Sequence, residues 1–472
     1  MRERRGRPRE SPIEAFGQRL SGSVEKWMPD PFIFAVFLTI IVFVMGIAIE
    51  GVGPYEMIQN WWGGSEYPSK GFWSLLGFAM QMCLILVTGY ALAHHPWVHG
   101  LLVRLTKIPK NGKQAAALIA FISLAFSWIN WGLGLILGAL FAKEMGIQAY
   151  KRGMKVHYPM LAVAGYTGLG LIWHWGLSAS AQLTLAAEGN WAINQGWVDR
   201  LIPVSETLFT PYSFAMSGIM LVFGVLVCYL LHPSNPDRCR GIEEYAPGLL
   251  EEEERKEEKE GKRTMADKLE SSPIIALIVG TMMLICMIWW FKGNGIRGLN
   301  LNSVNFIFIM VGLLLYMNPI KYVKAIMDAA GAVGGIIIQF PLYAGIQGMM
   351  MLSGLGATIA VWLARIASPA TFPVVAWLTA GLVNLFIPSG GGEFAVVGPT
   401  LFEAGESLGV PVCKTVTAFA AGDQWSNLFQ PFWAIALLSI TGLRARDIFG
   451  FCIAIMLIAV IPIVLGLTFI PF

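Results

Sequence analysis

Long apolar runs separated by short polar segments set the pattern of this chain. Nine runs lie at about 32–49, 72–94, 157–175, 211–231, 273–291, 303–318, 325–352, 412–443 and 449–470. Each is long enough to cross a hydrocarbon core of ~30 Å as a helix. The run at 211–231 is the cleanest, whereas 157–187 and 412–443 are broken by polar or glycine-rich patches. Two further apolar stretches, 114–142 and 372–402, are interrupted at their centres by AFSWINWGLGLILGALF and NLFIPSGGGEFAVVGP. Such clusters stop a helix, and about a dozen apolar residues remain on either side. That length predicts re-entrant hairpins of two half-helices.

Charge orients these elements. Lys107, Lys110 and Lys113 precede the first interrupted stretch, and Lys143, Lys151, Arg152 and Lys155 follow it. Short loops rich in Lys and Arg are cytoplasmic, so both ends lie on one side. The second stretch, between Arg365 and Lys414, fits a hairpin entering from the opposite face. Loops 50–71 and 187–206 carry little positive charge and read as external.

The expected organisation has five parts. Residues 1–31 form a basic cytoplasmic N-terminal segment, and 32–231 a first repeat with hairpin 114–142. Residues 232–272 form a charged cytoplasmic linker containing EEEERKEEKEGKR. Residues 273–291 form a linking span, and 303–472 a second repeat with hairpin 372–402 and an external C-terminus. A shift of 258 positions places Gly77 on Gly335, Gln81 on Gln339, Gly132 on Gly390, Gly134 on Gly392 and Trp175 on Trp433. Both interrupted stretches coincide at that offset without a gap, and the extra span inverts the second half. Inverted repeats with broken helices mark secondary transporters that bind substrate near the bilayer midplane. The fold class is therefore an all-α polytopic membrane protein, an inverted-repeat carrier with about nine spans and two re-entrant helical hairpins.

Composition agrees. The chain is 56% hydrophobic and only 13% charged, against about a quarter charged in soluble domains. The first ten residues hold five arginines but no apolar core of a signal peptide. The six cysteines are dispersed without CxxC spacing, which suggests neither a zinc site nor a disulfide framework. No GxxxxGK[ST], GxSxG or HExxH occurs, so an ATPase or hydrolase is not expected. Neither a cofactor nor a nucleic-acid partner is expected.

The candidate chemistry lies at the interruptions. One tip holds Ser127, Asn130, Trp131, Gly132 and Gly134; the other holds Ser389, Gly390, Gly391 and Gly392, with Asn384 upstream. A half-helix starting after each tip aims free N–H groups and a positive dipole end at the centre. The broken helices add Trp173, His174, Trp175 and Ser178 in one, and Asp423, Trp425, Ser426, Asn427 and Gln430 in the other. Polar groups there are costly against lipid and face a cavity. Asp423, Glu393 and His174 are the candidates for a coupling ion, H+ or Na+. Trp131, Trp175 or Trp425 would contact an apolar substrate tail. Gln81 and Gln339 read as interhelical glue or site lining. His94, His95 and His99 read as surface or snorkelling groups beside an interfacial helix at 97–108. Trp27, Trp61, Trp62, Trp73 and Trp191 read as an interfacial belt.

MPDPFIFAVFLT at 28–39, SWINWGLG at 127–134, IPSGGGEFAVVGP at 387–399 and GDQWSNLFQPFWA at 422–434 resemble the short-chain fatty acid transporter (AtoE-like) family of the ion transporter superfamily. The resemblance runs over nearly the whole chain. It implies symport of short-chain carboxylates such as butyrate or acetoacetate with protons or Na+ across a bacterial inner membrane. It also implies an elevator-like motion in a homodimer. Alternatives on the same fold are a C4-dicarboxylate carrier and an anion channel. No Arg or Lys lies near either tip, which favours a monocarboxylate.

Overall fold

The computed structural model describes residues 10–188, 190–194, 196–254, 265–298 and 300–472. The arginine-rich residues 1–9 and most of the charged run at 251–263 lie outside them. All regular structure among the described residues is helical. Helix starts follow local chemistry. Proline sits in the first turn of Pro31–Glu50, Pro211–Leu231, Pro273–Asn294 and Pro431–Thr441, where its missing N–H costs nothing. Asp30, Asn111, Asn130, Thr210, Asn300 and Ser389 cap helix N-termini with a side-chain oxygen.

Among the described residues, seven helices are long and apolar enough to cross a membrane, or eight if the bent pair Leu76–Leu92 and Pro96–Thr106 is one span. Four predicted runs occur as uninterrupted helices: Pro31–Glu50, Pro211–Leu231, Pro273–Asn294 and Ala445–Phe469. The run at 303–318 is the sixteen-residue helix Leu301–Tyr316. The run at 325–352 starts late, because Pro319–Ala329 is a separate amphipathic helix that ends at the glycine-containing turn Ala330–Val333. The runs at 157–187 and 412–443 are broken. Tyr158–Leu171 gives way to a short turn at Trp173–Trp175 and then to Ser180–Ala186. Val412–Ser426 is followed by a turn at Asn427–Phe429 and by Pro431–Thr441.

Both interrupted stretches fold as helix pairs; in the second, Phe372–Val383 has the length of a half-helix, 12 residues, whereas the arms of the first are longer. Gly112–Ile129 and Trp131–Lys151 fold back on each other at Asn130, and each is long enough to span a membrane by itself. They outrun the apolar stretch because Lys143 and Glu144 are themselves buried within the fold. In the second pair, Phe372–Val383 and Gly390–Ser407 touch each other little, and both pack on Val412–Ser426.

One helix was not visible as such in the sequence. Pro12–Trp27, inside the segment expected to be a basic tail, packs along Ala445–Phe469. Its Glu14 is buried and accepts hydrogen bonds from Ser234 N and Oγ at 2.7 and 2.6 Å. The Ser11–Pro12 cap and first turn were the available signal.

The helices gather into two bundles. One holds the two hairpins, the two broken helices, Pro12–Trp27, Pro211–Leu231 and Ala445–Phe469; the other holds Pro31–Glu50, Leu76–His94, Pro273–Asn294, Leu301–Tyr316 and Gly334–Leu352. Pro273–Asn294 buries only Ala276 and Gly280, the pattern of a helix against lipid. Gln81 belongs to the second bundle, where its Nε2 donates to Asn302 Oδ1 at 2.6 Å. Neither it nor the buried Gln339 lines the cavity described below. His99 Nε2 pairs with Glu144 Oε2 at 3.3 Å, tying Pro96–Thr106 to the first hairpin.

Close backbone approach holds the first hairpin to its broken helix. A Cβ at Gly138 would fall on the carbonyl of Gly165, and Ser123 Oγ donates to that carbonyl at 2.6 Å. A Gly138→Val chain is expected to lose about 1–3 kcal/mol through overpacking. Thermal unfolding in detergent measures this; an unchanged midpoint would show that the two helices part freely.

Candidate functional site

The two breaks and the second tip converge on a buried polar cluster. His174 Nδ1 lies 2.7 Å from Asp423 Oδ2, and the two side chains are 0% and 1% exposed. The imidazole tautomer follows from its other nitrogen. Nε2 accepts the Ala181 N–H at 3.3 Å and lies 3.2 Å from Ser180 Oγ, so Nδ1 carries the hydrogen and stands beside Asp423 Oδ2. The His174 backbone N–H donates to Gln424 Oε1 at 2.9 Å, and its carbonyl accepts from Gln182 Nε2 at 2.9 Å. Glu393, fully buried in the first turn of Gly390–Ser407, turns its carboxyl toward that of Asp423. Neither of its oxygens meets a donor among the described residues. The three ionisable residues singled out in the sequence, 30 and 249 positions from one another at the extremes of 174, 393 and 423, thus form one cluster.

Beside it lies a cavity of about 150 Å³ on the seam between the bundles. Its polar side is made by Ser180, Ser389, Gly390, Gly391 and Gln347. Ser389 caps its helix by accepting the Gly392 N–H at 3.3 Å, so the helix N-terminus opens at the cavity. Gly390 and Gly392 are tightly packed there, whereas Gly391 faces open space. A Cβ at Gly390 would come within 3.1 Å of His174 Cε1 and 3.2 Å of Asp423 Oδ2, and one at Gly392 would collide with Gln347 Nε2. Gln347 comes from the other bundle. Its apolar side is made by Phe78, Trp131, Trp173, Phe432 and Trp433. These rings touch: Trp131 and Trp433 are 4.9 Å apart, Phe78 and Trp433 5.8 Å, and Phe432 and Trp433 4.9 Å between centroids.

Of the sequence candidates, Trp131, Ser389, Gly390 and Gly391 line the cavity, and Gly392 stands just behind them. The others take different places. Asn130 caps the inner arm of the first hairpin, accepting Leu133 N–H at 3.1 Å. Ser178 Oγ accepts Trp131 N–H at 3.0 Å. Ser127 is buried against Gly134 and Gly168, while Gly132 faces Ile85 and Leu301. Trp175 is buried outside the cavity lining. Trp425 points away, its N–H donating to Met456 O at 2.7 Å and its ring against Trp377 at 4.5 Å. Ser426 and Asn427 are engaged by Asn384, whose Nδ2 lies 2.9 Å from Ser426 Oγ, 2.8 Å from Asn427 Oδ1 and 3.0 Å from Asp423 O. The first tip therefore contributes a ring, and the second contributes the donors. Trp173 and Ser180 belong to the break already marked in the sequence, whereas Gln347, Phe78, Phe432 and Trp433 were not selected from it. Only Gln347, a polar side chain inside an apolar run, carried a readable signal.

A multi-pass helical protein with broken helices around a small two-sided cavity is built as a carrier. The chain belongs to the short chain fatty acid transporter family, whose model matches residues 12–470. It is 37% identical over 446 residues to the Escherichia coli (strain K12) protein named "Putative short-chain fatty acid transporter", covering 94% of this chain and 97% of that one. A Haemophilus influenzae protein of the same name is 35% identical over 451 residues, with the same coverage. Among solved structures, the Alcanivorax borkumensis YdaH transporter aligns over 93% of this chain and 97% of its own at 14% identity and a TM-score of 0.44. Neisseria gonorrhoeae MtrF aligns over 95% and 96% at 14% identity and a TM-score of 0.33. Likeness at that level carries no argument about the site. The protein is a membrane transporter of a bacterial family, not an enzyme.

Proposed function

We propose that this carrier moves short-chain monocarboxylates, of the butyrate or acetoacetate type, together with a proton. The two-sided cavity carries the reading. A carboxylate fits the N–H groups and hydroxyl at Ser389–Gly391, with Ser180 and Gln347 at hydrogen-bond positions around it. A short alkyl tail fits the aromatic side. A dicarboxylate would place its second charge among those rings without a partner, at a large desolvation cost.

The His174–Asp423–Glu393 cluster supplies the coupling. Two carboxylates brought together away from water repel strongly, and neither oxygen of Glu393 meets a donor among the described residues. A proton shared between Glu393 and Asp423 relieves both problems. Ser180 touches His174 and lines the cavity, so substrate and proton sites are joined through one hydroxyl. Transport then proceeds by motion of one bundle past the other along the seam, elevator-like, in a homodimer.

The test is uptake of labelled butyrate into proteoliposomes under an imposed pH gradient. Accumulation that follows the pH gradient supports the reading. Accumulation driven only by a Na+ gradient would reassign the coupling ion, gradient-independent conduction would indicate a channel, and preference for succinate would reassign the substrate. Gln347→Ala is expected to raise the KM for butyrate about ten-fold or more, the worth of one hydrogen bond to a charged group. An unchanged KM would remove Gln347 from the carboxylate site.

A further inference from the structure

The aromatic side of the cavity is a wall of mutually supported rings. Phe432 stacks on Phe340 at 4.1 Å and meets Tyr343 edge-on at 5.1 Å. Phe78 stacks on Phe340 at 5.7 Å and meets Trp433 edge-on at 5.8 Å. Phe340, Phe432 and Trp433 are 1%, 2% and 6% exposed. No ring in this set can retreat without displacing another, because protein interiors are close-packed.

We propose that this wall fixes the longest acyl chain the protein accepts, and that Trp433 sets the limit. The inference rests on the short-chain carboxylate reading of the cavity. The polar groups of Ser180, Gln347, Ser389, Gly390 and Gly391 gather at one end of the cavity, which is where the carboxylate would be held. The other end must stop at the rings. An apolar cavity of about 150 Å³ accepts benzene, a ligand of six heavy atoms, and butyrate has the same number. A further pair of methylenes has no room unless the wall yields. Trp433 is a large ring of the wall that spans the seam. It contacts Trp131 of the first hairpin and Phe78 of the second bundle. It also follows Pro431, whose position at the start of its helix fixes the direction of the segment. Removing its indole opens a space continuous with the cavity.

The experiment uses the full-length protein in proteoliposomes. Labelled butyrate uptake is competed with unlabelled acetate, butyrate, hexanoate and octanoate, for wild type, Trp433→Ala, Trp433→Leu and Phe78→Leu. In wild type, butyrate is expected to compete best, and octanoate at least about ten-fold more weakly, the discrimination a filled apolar pocket achieves per methylene. In Trp433→Ala the optimum is expected to move to hexanoate or octanoate, with Trp433→Leu between. If Trp433→Ala does not fold, a shift toward longer chains in Trp433→Leu or Phe78→Leu supports the same conclusion. A wild-type length profile in every folded variant overturns the inference while leaving the short-chain reading intact. Failure of wild type to transport any of the four acids overturns that reading itself.

Discussion

Asp423→Asn is expected to lower butyrate accumulation driven by a pH gradient by at least about 100-fold, the effect of losing ~2.7 kcal/mol of coupling, while leaving exchange of internal for external butyrate measurable. The substitution is chosen for its shape. An asparagine keeps the size and shape of the side chain that lies 2.7 Å from His174 Nδ1, so the break keeps its packing. What disappears is the second carboxyl facing Glu393, and with it the site that shares a proton. On the proton-coupled reading proposed above, net uptake against a gradient needs that proton, whereas exchange needs only the substrate site. Asp423→Ala is a poorer probe, because stripping one member from a buried charged pair destabilises by about 3–5 kcal/mol. Wild-type accumulation in Asp423→Asn under the same gradient would show that coupling lies elsewhere.

Asn384→Ala is expected to cost about 3 kcal/mol of stability and most of the transport, because leaving a buried acceptor without its donor costs roughly 1–3 kcal/mol each. Asn384 closes the second hairpin at its tip. Its single Nδ2 faces Asp423 O, Ser426 Oγ and Asn427 Oδ1 within 3.0 Å. An amide nitrogen carries two hydrogens, so it satisfies two of the three at a time. Its own backbone carbonyl accepts Gln430 Nε2 at 2.8 Å. The first of these bonds ends on the backbone of Asp423, so the hub positions the coupling cluster as well as the tip. Denaturant unfolding in detergent and uptake measured side by side test both effects. Full stability in Asn384→Ala would show that the hub is dispensable. Full uptake with reduced stability would confine Asn384 to a scaffold role. Asn384→Asp should fare no better, since it puts an acceptor oxygen where the Nδ2 donor faces three acceptors.

Much of this architecture was legible because membrane helices are written in apolar length. Pro31–Glu50, Pro211–Leu231 and Ala445–Phe469 appear where runs of that length predict them. The interruptions were legible too, since glycine, proline and polar residues cannot continue a lipid-facing helix. His174, Glu393 and Asp423 stood out because ionisable groups in such runs are costly. Less legible was everything decided by side-chain direction. Trp425 and Trp433 sit eight positions apart around one break with similar prospects, yet Trp425 turns to Met456 and Trp433 to the cavity. Ser426 and Asn427 look like ligands and serve as partners of Asn384. Pro12–Trp27 was hidden because a short amphipathic helix beside an arginine-rich tail has no distinctive composition.

By itself, then, the sequence determined a polytopic helical membrane protein with two interrupted stretches, two broken helices and three intramembrane ionisable residues. These depend on hydrophobic length and helix-breaking chemistry, which are local. Only the tertiary structure decided that His174, Asp423 and Glu393 meet, that the second tip supplies the donors while the first supplies a ring, and that Gln347 and Phe78 complete the cavity from the other bundle. Those outcomes depend on which face each helix turns to its neighbours. That choice is made by packing between segments more than two hundred residues apart, such as His174 and Gln424 at a separation of 250.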